Sequence, residues 1–207
     1  MKLPLARAIP GGVALCLWCA LAPAQDTDGT SSFAGSVVSV SEIEATLRNA
    51  SLTRESYGDE NRDWKVEATI DFRSGKLHAP TPAYHPRAAT ITTRELLRRM
   101  IGPEPPLLID VLSQASHQTV VGAWWLRGAG FSTTSNDRLA TKLEELTLGN
   151  RSLPIVFFCQ GAECWASYNA ALRASLIGYT NVYWYRGGLR AWKDAGLPTQ
   201  WSMESGW

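Results

Sequence analysis

The sequence predicts an α/β protein with a doubly wound, central parallel sheet and an irregular N-terminal extension. Two observations lead to this prediction: short strands that are apolar on both faces, and amphipathic helical patterns that alternate with them in the second part of the chain. Strands that are buried on both faces need a layer of helices on each side. The functional crevice of such a sheet lies at the carboxyl ends of its strands.

The individual elements follow from apolar runs and capping residues. Apolar runs predict strands at 106–111, 124–126, 155–158 and 182–185. Periodicity and caps predict helices at 41–47, after the capping residues 92–95, and at 137–148, 164–178 and 189–195. We therefore predict a main domain at 91–200, followed by a tail at 201–207.

The composition is that of a globular chain with its own core. The 207 residues are 45% hydrophobic and 19% charged, which excludes disordered, collagen-like and coiled-coil proteins. The 20 basic and 19 acidic residues give a formal net charge of +1, and no segment is strongly basic. We therefore expect no nucleic-acid partner.

The first 24 residues are typical of a signal peptide. Lys2 and Arg7 give a positive start, an apolar run follows at 11–22, and residues 22–24 form a small-x-small cleavage site. The run is shorter than the about 20 residues that cross a bilayer, so we expect no stable membrane span after cleavage. The alternative is an uncleaved anchor. Cleavage predicts an exported protein, periplasmic if the source is a Gram-negative bacterium.

Residues 25–90 are predicted to be a linker and an irregular extension. The linker, 25–35, is rich in Ser, Thr, Asp and Gly, and the stretch 57–86 is interrupted by glycine and proline. No chemistry is evident in this part of the sequence. The extension is expected either to cover one face of the sheet or to form a partner surface.

Cleavage leaves two cysteines, Cys159 and Cys164. Cys159 directly follows a predicted strand and precedes a helix, so the loop amides and the helix dipole favour its thiolate. Gly161 and Ala162 are small enough for the backbone to curl around a second sulfur, carried as a persulfide. The position predicts an exposed, reactive thiol, and the alternative is a buried, inert cysteine.

Three further candidates, Asp110, Arg127 and Arg186, lie at or just past predicted strand ends. Because parallel strands share an edge at their carboxyl ends, these groups are expected beside the cysteine loop. Glu163 within the loop would repel an arriving dianion such as thiosulfate, by ~4 kcal/mol per charge pair at 4 Å. Arg127 or Arg186 is expected to supply the compensating charge.

Several stretches resemble the rhodanese-like sulfurtransferase domains. They are 107–111, 122–123, the loop that begins at Cys159, 170–172 and the closing stretch 178–198. The resemblance covers about 91–200 and implies a doubly wound α/β fold in which Cys159 carries the transferred sulfur. From the residues themselves we expect Cys164 to be a resolving or regulatory thiol, and the main-chain amides of Gln160 to Cys164 to form an anion-binding loop. The resemblance implies that Asp110 is mainly structural support. The proposed chemistry requires no cofactor, and two remaining cysteines are too few for a Cys-rich zinc site, so no metal is expected.

The sequence departs from that family at named positions. Leu112 replaces its usual arginine and Ala162 its usual loop glycine, while Gln160, Glu163 and Cys164 stand where basic or hydroxyl residues are common. A loop ending in Cys-Trp is similar to an exported subgroup, some of whose members accompany pyrroloquinoline quinone-dependent catabolism. This likeness suggests a periplasmic redox or quinoprotein partner.

The two cysteines leave three functions open. Cys164 could attack a persulfide on Cys159 and release sulfide, or the pair could exchange thiols and disulfides with another protein. The third possibility is a static disulfide in a partner-binding module. The corresponding partners are a small sulfur donor or acceptor, or a thiol protein. A phosphatase is excluded because Trp165 stands where the phosphate-clamping arginine would be.

Histidines and aromatic residues are assigned structural roles. His78, His85 and His117 lack metal-ligand spacing, so they are predicted to be solvated loop residues. Most tryptophans and tyrosines of the second half are predicted to be core. Trp165, one residue past the loop, is the expected exception and would frame the site.

Overall fold

A parallel sheet of five strands forms the centre of the computed structural model, which describes residues 40–203 and 206–207. The strands are β1 (Ala89–Ile91), β2 (Leu107–Asp110), β3 (Gln118–Val120), β4 (Trp124–Trp125), β5 (Ile155–Phe158), β6 (Val182–Tyr185) and β7 (Thr199–Trp201). The helices are α1 (Val40–Asn49), α2 (Thr93–Met100), α3 (Asn136–Thr147), α4 (Trp165–Leu176) and α5 (Gly188–Asp194). The predicted signal peptide and the linker 25–35 lie outside the described residues.

The strand order confirms the predicted fold class. The central sheet has the order β1-β6-β5-β2-β4, and all of its pairs are parallel. From β2 the chain moves outward to β4 and then returns to β5 on the other side of β2. This reversal creates a switch point between β2 and β5, where a ligand crevice is expected at the carboxyl ends.

The central strand β5 is buried on both faces, as is typical of a parallel sheet. Its four residues, Ile155–Phe158, are fully buried. A strand with no solvent-facing side chain must be covered by other elements on both sides. The edge strand β4 differs, because Trp124 is 40% exposed there while Trp125 is buried.

The predicted helices are confirmed, with ends shifted by a few residues. Thr92 and Glu95 form the expected capping box at the start of α2. Cys164, predicted as the first residue of a helix, is instead the N-cap of α4. Three strands, β1, β3 and β7, were not predicted, because each is only three residues long and shows too few alternations to be recognised.

The extension packs on the main domain without regular structure between α1 and β1. Tyr57 is buried in the core, and the carboxylate of Glu60 accepts hydrogen bonds from the amides of Tyr57 and Thr93. Among residues 40–203, no helix has the length and apolar character that a membrane crossing requires.

Candidate active site

Cys159 follows β5 at the switch point, and the loop 159–164 leads into α4. Cys159 and Cys164 form a disulfide, with their Cα atoms 6.2 Å apart. Each residue is only 2% exposed. The expected exposure of Cys159 was wrong, because α5 and a segment of the extension lie against the loop.

The first turn of α5 holds the loop by its carbonyl groups. The amides of Leu189 and Arg190 donate to the carbonyl oxygens of Cys159 and Gln160, at 2.9 and 2.8 Å. Across the described part of the chain, no hydrogen bond engages the amides of residues 160–163. Successive backbone amides without a protein acceptor are the groups that bind anions in such loops.

A second set of backbone bonds joins the loop to residues 77–81 of the extension, which we call the strap. The Ala79 amide donates to the Glu163 carbonyl at 3.0 Å, and the Trp165 amide donates to the Leu77 carbonyl at 2.9 Å. The Thr81 amide and hydroxyl both donate to the carbonyl of Ala162. The extension, in which the sequence revealed no chemistry, is therefore part of the site.

A cavity of about 270 Å³ opens between the strap, the loop and α5. Its lining residues are His78, Ala79, Pro80, Gln160, Gly161, Glu163, Cys164 and Arg190. The guanidinium of Arg190 lies 3.6 Å from the carboxylate of Glu163 and 3.9 Å from that of Asp59. Cys164, not Cys159, borders the cavity.

Comparison with known proteins assigns the chain to a family. The model of the rhodanese-like domain matches residues 92–195. The chain belongs to the rhodanese-like domain family. The solution structure of a 30 kDa polysulfide-sulfur transferase homodimer from Wolinella succinogenes is similar, with a TM-score of 0.38 and 20% identity over 55% of this chain and 79% of that one. No curated protein matches the chain.

Arg190 is the arginine that lines the cavity of this rhodanese-like domain, and the sequence analysis did not predict it as a site residue. Its position within the closing stretch, directly after the N-terminal residues of α5, was the available signal. Arg186, the expected anion partner, is buried and faces the extension instead. Its guanidinium donates to the Glu60 carbonyl at 2.8 Å and to the Thr81 carbonyl and hydroxyl at 3.1 Å.

The structure places the other expected cation, Arg127, away from the cavity. Its Nε donates to the carbonyl of Ser113 at 2.9 Å. Neither Arg127 nor Arg186 lines the cavity beside Cys164. Arg190 is therefore the residue positioned to offset the charge of Glu163 in this rhodanese-like domain.

Asp110 supports the loops at the carboxyl end of β2. Its carboxylate accepts hydrogen bonds from the Leu112 amide, the His117 imidazole and the Thr119 hydroxyl. A fully buried carboxylate with three donors is satisfied where it stands. The hydrogen-bond donors to its carboxylate are all on the segment that follows β2, so the Asp110 side chain shapes that segment.

Two histidines contradict the prediction of solvated loop residues. His85 is buried, with Nδ1 accepting from the Arg87 amide and Nε2 donating to the Tyr168 carbonyl, and burial lowers its pKa to about 4. The His117 side chain is 11% exposed, and its hydrogen bond to Asp110 raises its pKa. His78 alone is exposed, as expected.

Trp165 belongs to the core and not to the cavity. It is buried, and its indole N–H donates to the carbonyl of Pro80 at 3.0 Å. The guanidinium of Arg73, in the extension, lies over the Trp165 ring, 4.7 Å from its centroid. The described residues contain no group of three or more side chains arranged to hold a metal ion.

Proposed function

We propose that this rhodanese-like protein is a sulfurtransferase or sulfur carrier, in which reduced Cys159 takes up one sulfur atom as a persulfide. The observation that carries the proposal is the row of unpartnered amides at residues 160–163, directly after the cysteine. In the reduced protein these amides would hold the terminal sulfur anion of the persulfide. The membership of the family supports the same chemistry.

Cys164 would complete the cycle as the resolving thiol. Its thiolate attacks the inner sulfur of the Cys159 persulfide, a bond forms between the two Sγ atoms, and the outer sulfur leaves as sulfide. The sulfane sulfur is reduced by two electrons, and the two cysteines are oxidised to the disulfide. The disulfide between Cys159 and Cys164 is the product state of this step. An external thiol then reduces it.

The cavity favours an anionic sulfur compound or a thiol as the partner. Glu163 would repel an anion, but the guanidinium of Arg190 beside it offsets that charge. Both side chains are about half exposed, so the net effect is modest. The proposed partners are therefore a small sulfur donor or acceptor, or a thiol protein.

A second candidate, thiol–disulfide exchange, is favoured by one specific observation. Cys164 lines the cavity while Cys159 does not. An incoming thiolate would reach Sγ of Cys164 first, forming a mixed disulfide and releasing the Cys159 thiolate into the amide cradle. The quinoprotein or redox partner suggested by the sequence would act in this role.

Export is part of the proposal and rests on the N-terminal sequence. Residues 1–24 have the charge, apolar run and small-x-small site of a signal peptide. In an oxidising compartment such as the periplasm, the disulfide would persist between turnovers. Fractionation of cells that express the full chain tests this, and an unprocessed protein in the cytoplasm would contradict it.

The decisive experiment compares the reduced wild type with C159S and C164S after incubation with polysulfide or thiosulfate. Intact mass spectrometry should show a gain of about 32 Da, one sulfur atom, in C164S and none in C159S. The wild type should return to the disulfide and release sulfide. If no mass is gained, the reduction potential of the Cys159–Cys164 disulfide separates the other two functions. A value of about −200 mV would favour thiol–disulfide exchange, and a value below about −300 mV would favour a structural disulfide.

A further inference from the structure

The strap brings a histidine directly opposite Cys164. His78 and Cys164 form an antiparallel β-bridge. The flanking hydrogen bonds, Trp165 amide to Leu77 carbonyl and Ala79 amide to Glu163 carbonyl, join the neighbours of the pair and not the pair itself. This is the non-hydrogen-bonded type of pair, in which opposite Cα atoms are about 4.5 Å apart and the two side chains share one face.

The cavity gives a second, independent sign of the same juxtaposition. His78 and Cys164 both line it, together with Glu163 and Arg190. His78 is exposed, so its ring is accessible to solvent and to a reactant in the cavity. It lies outside residues 92–195, which the family model matches, so the domain itself does not supply this group.

We propose that His78 is the acid–base partner of Cys164 in the resolving step. This inference rests on the proposed sulfur-transfer function and names a catalytic residue for it. The imidazole accepts the proton from the thiol of Cys164, and the resulting thiolate attacks the inner sulfur of the Cys159 persulfide. A histidine beside a cysteine is a common means of obtaining a reactive thiolate near neutral pH.

The proton balance of the resolving step explains why such a group is needed. A persulfide anion on Cys159 that is attacked by a thiolate would have to release sulfur as a doubly charged ion. The imidazolium of His78 returns the proton taken from Cys164, so that the outer sulfur leaves as HS⁻. The net reaction converts one persulfide anion and one thiol into one disulfide and one hydrosulfide ion.

The charged side chains near His78 include both signs, so the local field does not favour one sign of charge alone. Lys76 of the same segment lies beside it along a neighbouring cavity. Glu163 of the loop and Arg190 of α5 face it from the other elements, and these two carry opposite charges within 3.6 Å of each other. Glu163 is opposite in charge to an imidazolium at this position, whereas Lys76 and Arg190 carry the same sign of charge.

The first test measures the thiolate of Cys164 without any sulfur donor. In the C159S protein, ultraviolet absorbance reports thiolate formation as a function of pH, with C159S/C164S as the blank. Adding H78Q should move the midpoint upward by about one pH unit, which is about a ten-fold loss of thiolate at neutral pH. The matched control, K76Q, removes a charge two residues before His78, and it should leave the midpoint nearly unchanged.

Two results of this titration would overturn the proposal. One is an identical midpoint with and without H78Q. The other is an equal shift with K76Q, because the effect would then come from the general field and not from the imidazole. Since no persulfide is needed, failure of Cys159 to accept sulfur would refute the proposed function while leaving this result intact.

The second test uses chemical rescue in the protein that keeps both Cys159 and Cys164. Persulfide is loaded on Cys159, and sulfide release is followed in a single turnover. H78A should slow release by about 10²-fold, and added imidazole should restore it in H78A but not accelerate the wild type. Unchanged release in H78A, or equal acceleration of both proteins by imidazole, would refute the role of His78.

Discussion

The backbone amide of Ala79 donates to the carbonyl oxygen of Glu163 at 3.0 Å, which ties the extension to the cysteine loop. The same segment accepts the amide of Trp165 on the carbonyl of Leu77 and donates twice from Thr81. The candidate site therefore includes residues that lie outside the stretch matched by the family model. Changes in the strap should affect the loop as directly as changes in the loop itself.

Thr81→Val is expected to destabilise the protein by about 2 kcal/mol. The hydroxyl donates to the carbonyl of Ala162 and accepts from the buried Nε of Arg186 at 3.1 Å. Valine has the same shape but leaves the arginine donor without a partner. Urea denaturation measures the loss. Thr46→Val, on the exposed part of α1, should change stability by less than about 0.5 kcal/mol, and an equal loss in both would contradict the argument.

Arg186→Gln and Arg190→Gln should separate stability from anion binding. Arg186 satisfies buried carbonyls of the extension, so its loss should reduce stability by about 2–4 kcal/mol without a specific effect on donor affinity. Arg190 lines the cavity beside Glu163, so its loss should raise the KM for thiosulfate several-fold, about ten-fold at most, because the pair is half exposed.

Steady-state kinetics of sulfur transfer in both variants, at low and at higher salt, check this assignment. The Arg190→Gln effect should shrink with salt, since exposed charges are screened. A raised KM in Arg186→Gln, with no change in Arg190→Gln, would restore the assignment expected from the sequence.

Gly188→Ala should displace the cysteine loop. Gly188 has a φ of +57°, and an added Cβ would lie 2.3 Å from the carbonyl oxygen of Cys159 and 2.8 Å from the amide nitrogen of Gly161. Both neighbours are backbone atoms, so the steric clash is removed only if the loop or α5 moves. We expect a loss of about 2–4 kcal/mol and a large fall in persulfide formation. Gly149→Ala, where no atom lies near the added Cβ, is the control for left-handed strain alone.

Acidification should destabilise the protein through His85. Burial lowers its folded-state pKa to about 4, below the unfolded value of about 6.5. Protonation therefore favours the unfolded chain, and about 3 kcal/mol of stability should be lost progressively as the pH falls from about 6.5 to 4. The slope of unfolding free energy against pH measures the effect. His85→Gln, which keeps an amide donor near Tyr168, should flatten that slope.

The His117–Asp110 pair should have the opposite pH dependence. The hydrogen bond from His117 to Asp110 raises the folded-state pKa of His117 above its unfolded value. The other ring nitrogen, Nδ1, lies 3.0 Å from the carbonyl oxygen of Ala115. The stabilisation is therefore complete below pH about 6.5 and is lost as the pH rises through the folded pKa. Titration of the His117 ring by NMR should give a midpoint above about 6.5, and one at or below that value would contradict the prediction.

The sequence was sufficient where a local property determines the structure. The apolar run 155–158 is a fully buried strand, and Thr92 with Glu95 forms the predicted capping box. Cys159 stands at the end of its strand with a loop leading into α4, as its position predicted. These features depend on side chains that are close together in the chain, so their pattern is visible in it.

Tertiary structure alone decided what surrounds the cysteines. The strap binds the loop through backbone groups, which every residue carries, so no side-chain pattern marked it in the sequence. Arg186 and Arg190 both follow β6, yet burial directs the first to the extension while the second lines the cavity. A guanidinium donates hydrogen bonds to the acceptors that the folded chain places near it. These acceptors lie far from Arg186 and Arg190 in the sequence, so the sequence alone did not reveal them.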